Sequence, residues 1–446
     1  MAAIHSTATA AVTGKIPRRR WGIAILLGFG ILVSYFDRVN LSVSQNALHG
    51  AFGISDFVFG FLSSTYNWPY MLLQIPSGLL LDRFGVRRVG IVSTFIWTLA
   101  SFAAAVSTGV ASLFGARILL GIGEAPTFPG TAKATAYWFP KHERSLATAT
   151  FDSMAKFSSA IGIPLLGLVL IHFGWRANFA LTGVISVVYL GLFFAFYRNP
   201  SADSKLSPIE RDYIRNGGAQ PEDAARAAAG APLLYLLKQR KVIGLALGYG
   251  SYNYVFYLLL TWLPSYLAKA QHLDLKSSFF YTAVPWLSAT IAELIVGGWL
   301  VDSLIQRGWN AARVRRTILV GGTLLGLGIF GVAYSHSAQT AVFWITLSIT
   351  GLSIAAPVGW SMPGLIAPRE SVGTISGIMN LSNQLSGIAA PIVTGFVVAA
   401  TKNFEWAFLI ASAYLFIGIT AYIFLLGDMA PIQDPPDTPA ATSVRT

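Results

Sequence analysis

The sequence predicts an all-α membrane protein with twelve transmembrane helices in two pseudo-symmetric six-helix halves. Three observations carry that expectation. Of 446 residues, 54% are hydrophobic and only 11% charged, with a mean hydropathy of +0.59; soluble domains carry about 25% charged residues. Apolar windows of about 20 residues, the length that crosses a bilayer, recur twelve times. The longest hydrophilic stretch, 199–240, divides six windows from six.

The first six windows lie near 21–41, 57–80, 86–106, 110–137, 146–171 and 178–198, an N-terminal bundle over 21–198. The second six lie near 241–268, 278–303, 317–335, 340–362, 373–399 and 405–427, a C-terminal bundle over 241–427. Residues 1–20 and 428–446 form tails, and 199–240 a linker rich in Pro, Gly, Ala and charge. No cleavable signal is expected, because Met1–Pro17 is small and polar and Arg18–Arg20 leads straight into the first window.

Charge sets the orientation. Of 31 Lys and Arg, 23 fall on the side that holds the tails and linker, 4 on the other side and 4 inside windows. The positive-inside rule then puts both termini in the cytoplasm. The net charge of +12 reads as this bias and not as nucleic-acid binding, since no long basic patch exists. The chain has no cysteine, and no two of its six histidines share a helical turn. Metal sites and thiol chemistry are therefore not expected. No enzyme activity and no cofactor are expected either. A monomer surrounded by lipid is.

The halves echo each other. Gly78-Leu-Leu-Leu-Asp82 follows window 2 and Gly298-Trp-Leu-Val-Asp302 ends window 8, at an offset of 220 that also links Trp21 to Lys241. A weaker echo links Pro140–Glu143 with Pro368–Glu370. Duplicated six-span halves suggest a transporter with its solute site at the midplane between them.

Charges inside the windows point to chemistry, because a charge at membrane depth persists only beside a partner or a polar cavity. Asp37 and Arg38 lie in window 1, and Arg117 and Glu124 in window 4. Arg38 has a planar fork suited to a carboxylate; a structural pair with Asp37 or Glu124 is the alternative. Asp37 and Glu124 are candidate proton carriers, with an Asp37–Arg117 pair and a separate, deeper Glu124. Asp152 and Lys156 are i,i+4 in window 5, so they either neutralise one another or leave Lys156 for a second anionic group. Glu293 has no assigned role beyond a gating network, and Lys133 is expected to snorkel. Polar stripes add Tyr66, Tyr70 and Gln74 in window 2, Asn253 and Tyr257 in window 7, Trp360 and Ser361 in window 10, and Asn380, Asn383, Gln384 and Gly387 in window 11. Such stripes either join helices or bind solute.

The run Gly78-Leu-Leu-Leu-Asp82-Arg83-Phe-Gly85-Val-Arg87-Arg88 resembles the loop motif of the major facilitator superfamily. Arg117-Ile-Leu-Leu-Gly121-Ile-Gly-Glu124-Ala-Pro126, with Trp138-Phe-Pro140, Glu143-Arg144 and Tyr35-Phe-Asp37-Arg38-Val-Asn40, resembles the anion:cation symporter family of sugar-acid carriers and sialin-like carriers. The resemblance covers roughly 20–427. It implies proton-coupled uptake of a small organic anion by alternating access, with Arg38 on the substrate carboxylate and Tyr35, Tyr70, Trp360 and Asn380 at the solute. Asp82, Arg83, Arg87 and Asp302 are the expected gating charges. Phe151-Asp152-Ser-Met-Ala-Lys156 departs from the family's Phe-Asn-Ser and glutamine pattern. Rival readings are aromatic or short aliphatic carboxylate transport, drug efflux, and a sensor without transport.

Overall fold

The structure, a computed structural model, describes residues 16–140, 143–222, 231–368 and 371–434. The far ends of both expected tails lie outside these, as do parts of the Pro140–Glu143 and Pro368–Glu370 echo. The described chain is helical, with no strand. Nine helices among the described residues are individually long and apolar enough to cross a bilayer. Span 4 and most of span 2 lie outside these nine, in shorter helices, and two of the nine each hold parts of two expected spans.

Proline makes the breaks. Span 2 is split into Asp56–Thr65, Asn67–Leu72 and the start of Gln74–Ala105. Pro69 and Pro76 lack the N–H that would bond the carbonyls of Thr65 and Leu72, and the helix interrupts at those places. Pro129 does the same to Ala125, so span 4 divides into Val110–Glu124 and Thr127–Trp138.

Two fusions are glycine turns. Spans 5 and 6 share the single element Arg144–Phe196, reversed at Gly174 (φ 79°, ψ 174°). The end of span 2 and span 3 share Gln74–Ala105, reversed at Gly85 (φ 77°, ψ 160°). Both glycines occupy a backbone region that side chains essentially exclude. Span 1 is Arg19–Val43, span 7 Arg240–Lys269, span 10 Ala338–Ile366 and span 11 Val372–Thr401. Span 8 runs from Leu275–Ala292 into a wider π-helical stretch, Glu293–Leu300.

Span 1 packs on span 5 and span 7 on span 11, while spans 2 with 11 and 5 with 8 join the halves. On the linker side, Arg19 pairs with Asp203 (2.9 Å), and Arg20 with Glu143 (2.6 Å) and Glu210 (2.9 Å), tying span 1 to the linker helix Pro208–Asn216. On the far side the halves are closed. The Ser42 hydroxyl donates to the Thr261 carbonyl (2.6 Å), Lys269 pairs with Asp56 (2.8 Å), and Asn67 donates to the Gly387 carbonyl (2.9 Å). A Cβ on Gly60 would lie 2.3 Å from the Pro391 carbonyl oxygen, so spans 2 and 11 touch backbone to backbone.

Gly174→Ala should lower stability by about 1–3 kcal/mol, the cost of that conformation for a residue with a Cβ. Gly191→Ala lies on the same element, with nothing within 4 Å of the new methyl, and should be neutral or gain up to about 1 kcal/mol. Thermal melts of the purified variants check both.

Candidate functional site

Span 1 delivers Tyr35, Asp37 and Arg38 to the interior, all buried. Arg38 donates from Nη2 (3.0 Å) and Nε (3.3 Å) to Glu124 Oε2. The Tyr66 hydroxyl donates to the same oxygen at 2.9 Å. Glu124 is fully buried, and its Oε1 has no hydrogen-bond partner among the described residues. The Arg38 guanidinium also lies over the rings of Tyr35 (4.2 Å) and Tyr66 (4.7 Å), where the π faces attract it.

The expected Asp37–Arg117 carboxylate pair is not formed. Arg117 donates to the Asp37 backbone carbonyl (3.1 Å) and lies over Tyr66 (5.5 Å). Asp37 turns its carboxylate toward span 3, where Ser101 donates to Oδ1 (2.7 Å) and Oδ2 is left without a partner among the described residues. Neighbours on a helix point about 100° apart, so Asp37 and Arg38 face different helices.

A cavity of about 510 Å³ lies between the halves. It reaches from Tyr35 and Arg38 to Arg144, Thr148 and Gly373, in the first turns of helices that start on the linker side. Tyr35, Arg38, Tyr70, Lys156, Asn253, Tyr257, Trp360 and Asn380 all line it. Ser361 does not. It sits one residue beyond Trp360, turned away, and its hydroxyl donates to the Val358 carbonyl of its own helix (2.7 Å). Asn380 also bridges the halves, donating to Gln74 Oε1 (3.0 Å).

A second charge cluster borders the same cavity. Lys156 donates to Asp152 Oδ2 (3.0 Å) and pairs with Glu293 Oε2 of span 8 (2.9 Å). The i,i+4 pair is present, and Glu293 joins it rather than the Gly298–Asp302 motif. In that motif Asp302 is exposed and feels the charge of Arg315. In the first half Asp82 pairs with Lys133 of span 4. Arg87 donates to the Tyr197 and Phe194 carbonyls at the end of span 6 (3.1 and 3.2 Å). Arg83 lies over Phe84. No group of three or more metal-ligating side chains occurs among the described residues.

Several site residues were not singled out by sequence. Ser101 carries no signal of its own. Phe128, Phe256, Tyr249 and Tyr252 line the cavity but read as ordinary core aromatics. Tyr66 was visible only as the neighbour of Tyr70 in a polar stripe.

The Major Facilitator Superfamily model matches residues 27–391 and 308–445. The chain belongs to the major facilitator superfamily. The transporter YybO of Bacillus subtilis (strain 168) is 39% identical over 415 residues, covering 93% of this chain and 95% of that one. The D-galactonate transporter of Escherichia coli O6:H1 is 32% identical over 421 residues, covering 93% and 97%. The solved D-xylose-proton symporter matches with a TM-score of 0.70 at 15% identity, over 92% of this chain and 97% of that one, which speaks for the fold alone. This facilitator is a multi-pass membrane transporter and not an enzyme, and its likeness to sugar-acid carriers is borne out among its relatives.

Arg38→Ala should destabilise the facilitator by about 3–5 kcal/mol, because it strands a buried carboxylate. Arg38→Ala/Glu124→Gln should recover most of that loss. Denaturant or thermal melts of the two variants measure the difference, and equal stability would mean that the ion pair carries no weight in the fold.

Proposed function

We propose that this chain is a proton-coupled symporter that imports an organic anion, a sugar acid of the hexonate, hexuronate or aldarate type, by alternating access. The observation that carries the reading is the Arg38–Glu124 ion pair at the wall of a cavity between the halves. An arginine in a protein stays protonated, so a substrate carboxylate and Glu124 compete for one guanidinium. Protonation of Glu124 withdraws the competitor and lets substrate bind. Loss of the proton restores the pair and expels the substrate. Binding and proton loading are thereby linked without direct contact between them.

Asp37 is a second candidate carrier. One of its oxygens is unpartnered among the described residues, and its backbone carbonyl is the anchor of Arg117. Asn253, Asn380, Asn383 and Gln384 offer the amide donors and acceptors that sugar hydroxyls need, and Tyr35, Tyr70 and Trp360 offer ring faces. The galactonate relative supports the sugar-acid class. The positive-inside bias supports a bacterial inner membrane with both termini in the cytoplasm, toward which the cavity would then open. A carboxylate on an aromatic ring is the second reading, favoured by Phe128, Phe151 and Phe256 in the same lining. A thermal-shift screen of sugar acids, aliphatic diacids and aromatic acids separates the two.

Glu124→Gln mimics the protonated acid. In proteoliposomes it should stop accumulation driven by a pH gradient and spare exchange of labelled for unlabelled solute. Normal gradient-driven accumulation would remove Glu124 from the proton path and leave Asp37 as the carrier.

Arg38→Lys keeps the charge but loses the fork. It should lose most substrate affinity by calorimetry, and Arg38→Ala all of it. Unchanged affinity in Arg38→Ala would end the carboxylate role.

A further inference from the structure

The cluster around Lys156 is unlike an ordinary helix-joining ion pair. One ammonium serves two carboxylates, Asp152 on its own helix and Glu293 across the interface between the halves. Lys156 is 3% exposed and Glu293 fully buried, while Asp152 and Lys156 line the cavity and Glu293 stands behind them. The Asp152 and Glu293 side chains also interact directly with each other. Three tyrosines also face this cluster, Tyr252 and Tyr249 from span 7 and Tyr35 from span 1. Span 10 passes one turn away at Gly297 with Ile354 and Pro357, neither of them titratable.

Fully ionised, the cluster holds a net charge of −1 in a buried place, which is strongly disfavoured. Its balanced state has one proton shared between the two acids, which titrate as a pair. One further proton on that pair leaves Lys156 as a lone cation at the cavity wall. The design parallels Arg38 and Glu124: a cation facing the cavity, held from behind by an acid. Glu293 also opens the π-helical stretch of span 8, a distortion that recurs at functional sites.

We propose that Lys156 is a second anion-binding group, released by proton uptake on the Asp152–Glu293 pair, and that the cavity takes an organic dianion with one carboxylate on Arg38 and the other on Lys156. The inference rests on the carboxylate role of Arg38 argued above. On loading, a proton converts one carboxylate of the pair to the acid, its ion pair with Lys156 breaks, and the ammonium pairs with the substrate. On release that proton leaves, and the internal ion pair re-forms in place of the substrate.

The test uses matched acids on the purified full chain: galactarate against D-galactonate, and phthalate against benzoate. The wild type should bind the dianion of a pair more tightly. Lys156→Gln should weaken the dianion about 10- to 100-fold, as loss of a charged hydrogen bond does, and leave the monoanion unchanged. Because Lys156→Gln strands two acids, Asp152→Asn/Lys156→Gln/Glu293→Gln provides an isosteric neutral cluster and should show the same pattern. In weak buffer with a pH indicator, the wild type should take up one more proton per dianion than per monoanion, and Asp152→Asn/Glu293→Gln, which leaves no acid on Lys156 to protonate, should erase that difference. Equal loss for both acids, or a neutral-cluster variant that binds dianion like the wild type, would make the cluster a static joint between spans 5 and 8 and overturn the proposal. It would leave the symport reading standing. Failure of every acid to bind the wild type would overturn both.

Discussion

Everything at the centre of this transporter depends on a guanidinium that cannot lose its proton. Arg38 is buried at the wall of the central cavity and stays cationic. The surroundings must therefore supply a negative charge in every state. Here Glu124 supplies it, with Tyr66 on the same oxygen and the rings of Tyr35 and Tyr66 against the guanidinium. Glu124 depends equally on Arg38, since it is fully buried with one oxygen unpartnered among the described residues. Only the acid can change its charge. The cation can change its partner, and those two freedoms are what coupling to a proton requires.

The far side of the halves is closed by close packing. Small residues let spans 2 and 11 meet at backbone distance, as Gly60 against Pro391 and Gly395 against Asp56 show. Van der Waals packing of this kind, and not hydrophobic burial, holds helices together in lipid. The Lys269–Asp56 pair and the Ser42–Thr261 hydrogen bond add polar contacts at the same end. On the linker side the cavity separates the halves instead. The proline breaks in spans 2 and 4 fall beside the ion pair: Tyr66 lies at one break, and Glu124 ends the helix before the other.

The fold was legible because its signals are summed over many residues. Window length, repeat offset and loop charge each integrate tens of positions, so twelve spans survive small errors in any one. The site was legible where spacing alone decides. Asp152 and Lys156 at i,i+4 had to meet, and Arg117 with Glu124 had to share a face. Pairings between helices were not legible, because they depend on rotation about each axis. A turn of 100° separates Asp37–Arg117 from Arg38–Glu124, and the structure holds the second. The same angle takes Ser361 out of the cavity while Trp360 stays in it. Glu293 stood out as a misplaced charge, but its partner lies in the other half of the chain, beyond the reach of periodicity.

The two cation–acid clusters differ in a way that bears on how the halves move. Arg38 and Glu124 both belong to the N-terminal half, so rocking of one half against the other leaves their separation unchanged. In the proposed mechanism that pair responds to occupancy, through substrate or proton, and not to conformation. Lys156 and Glu293 belong to opposite halves, so their separation belongs to the conformation as well. In the state seen here, closed on the far side, the cross-half pair is made and adds to the stability of that state. Anything that breaks it, a proton or an anion on Lys156, removes a contact specific to this conformation and shifts the balance toward others by that differential amount. A carrier with only the first cluster would sense its cargo. Under the proposal for Lys156, the second cluster would pass that occupancy to the interface between the halves.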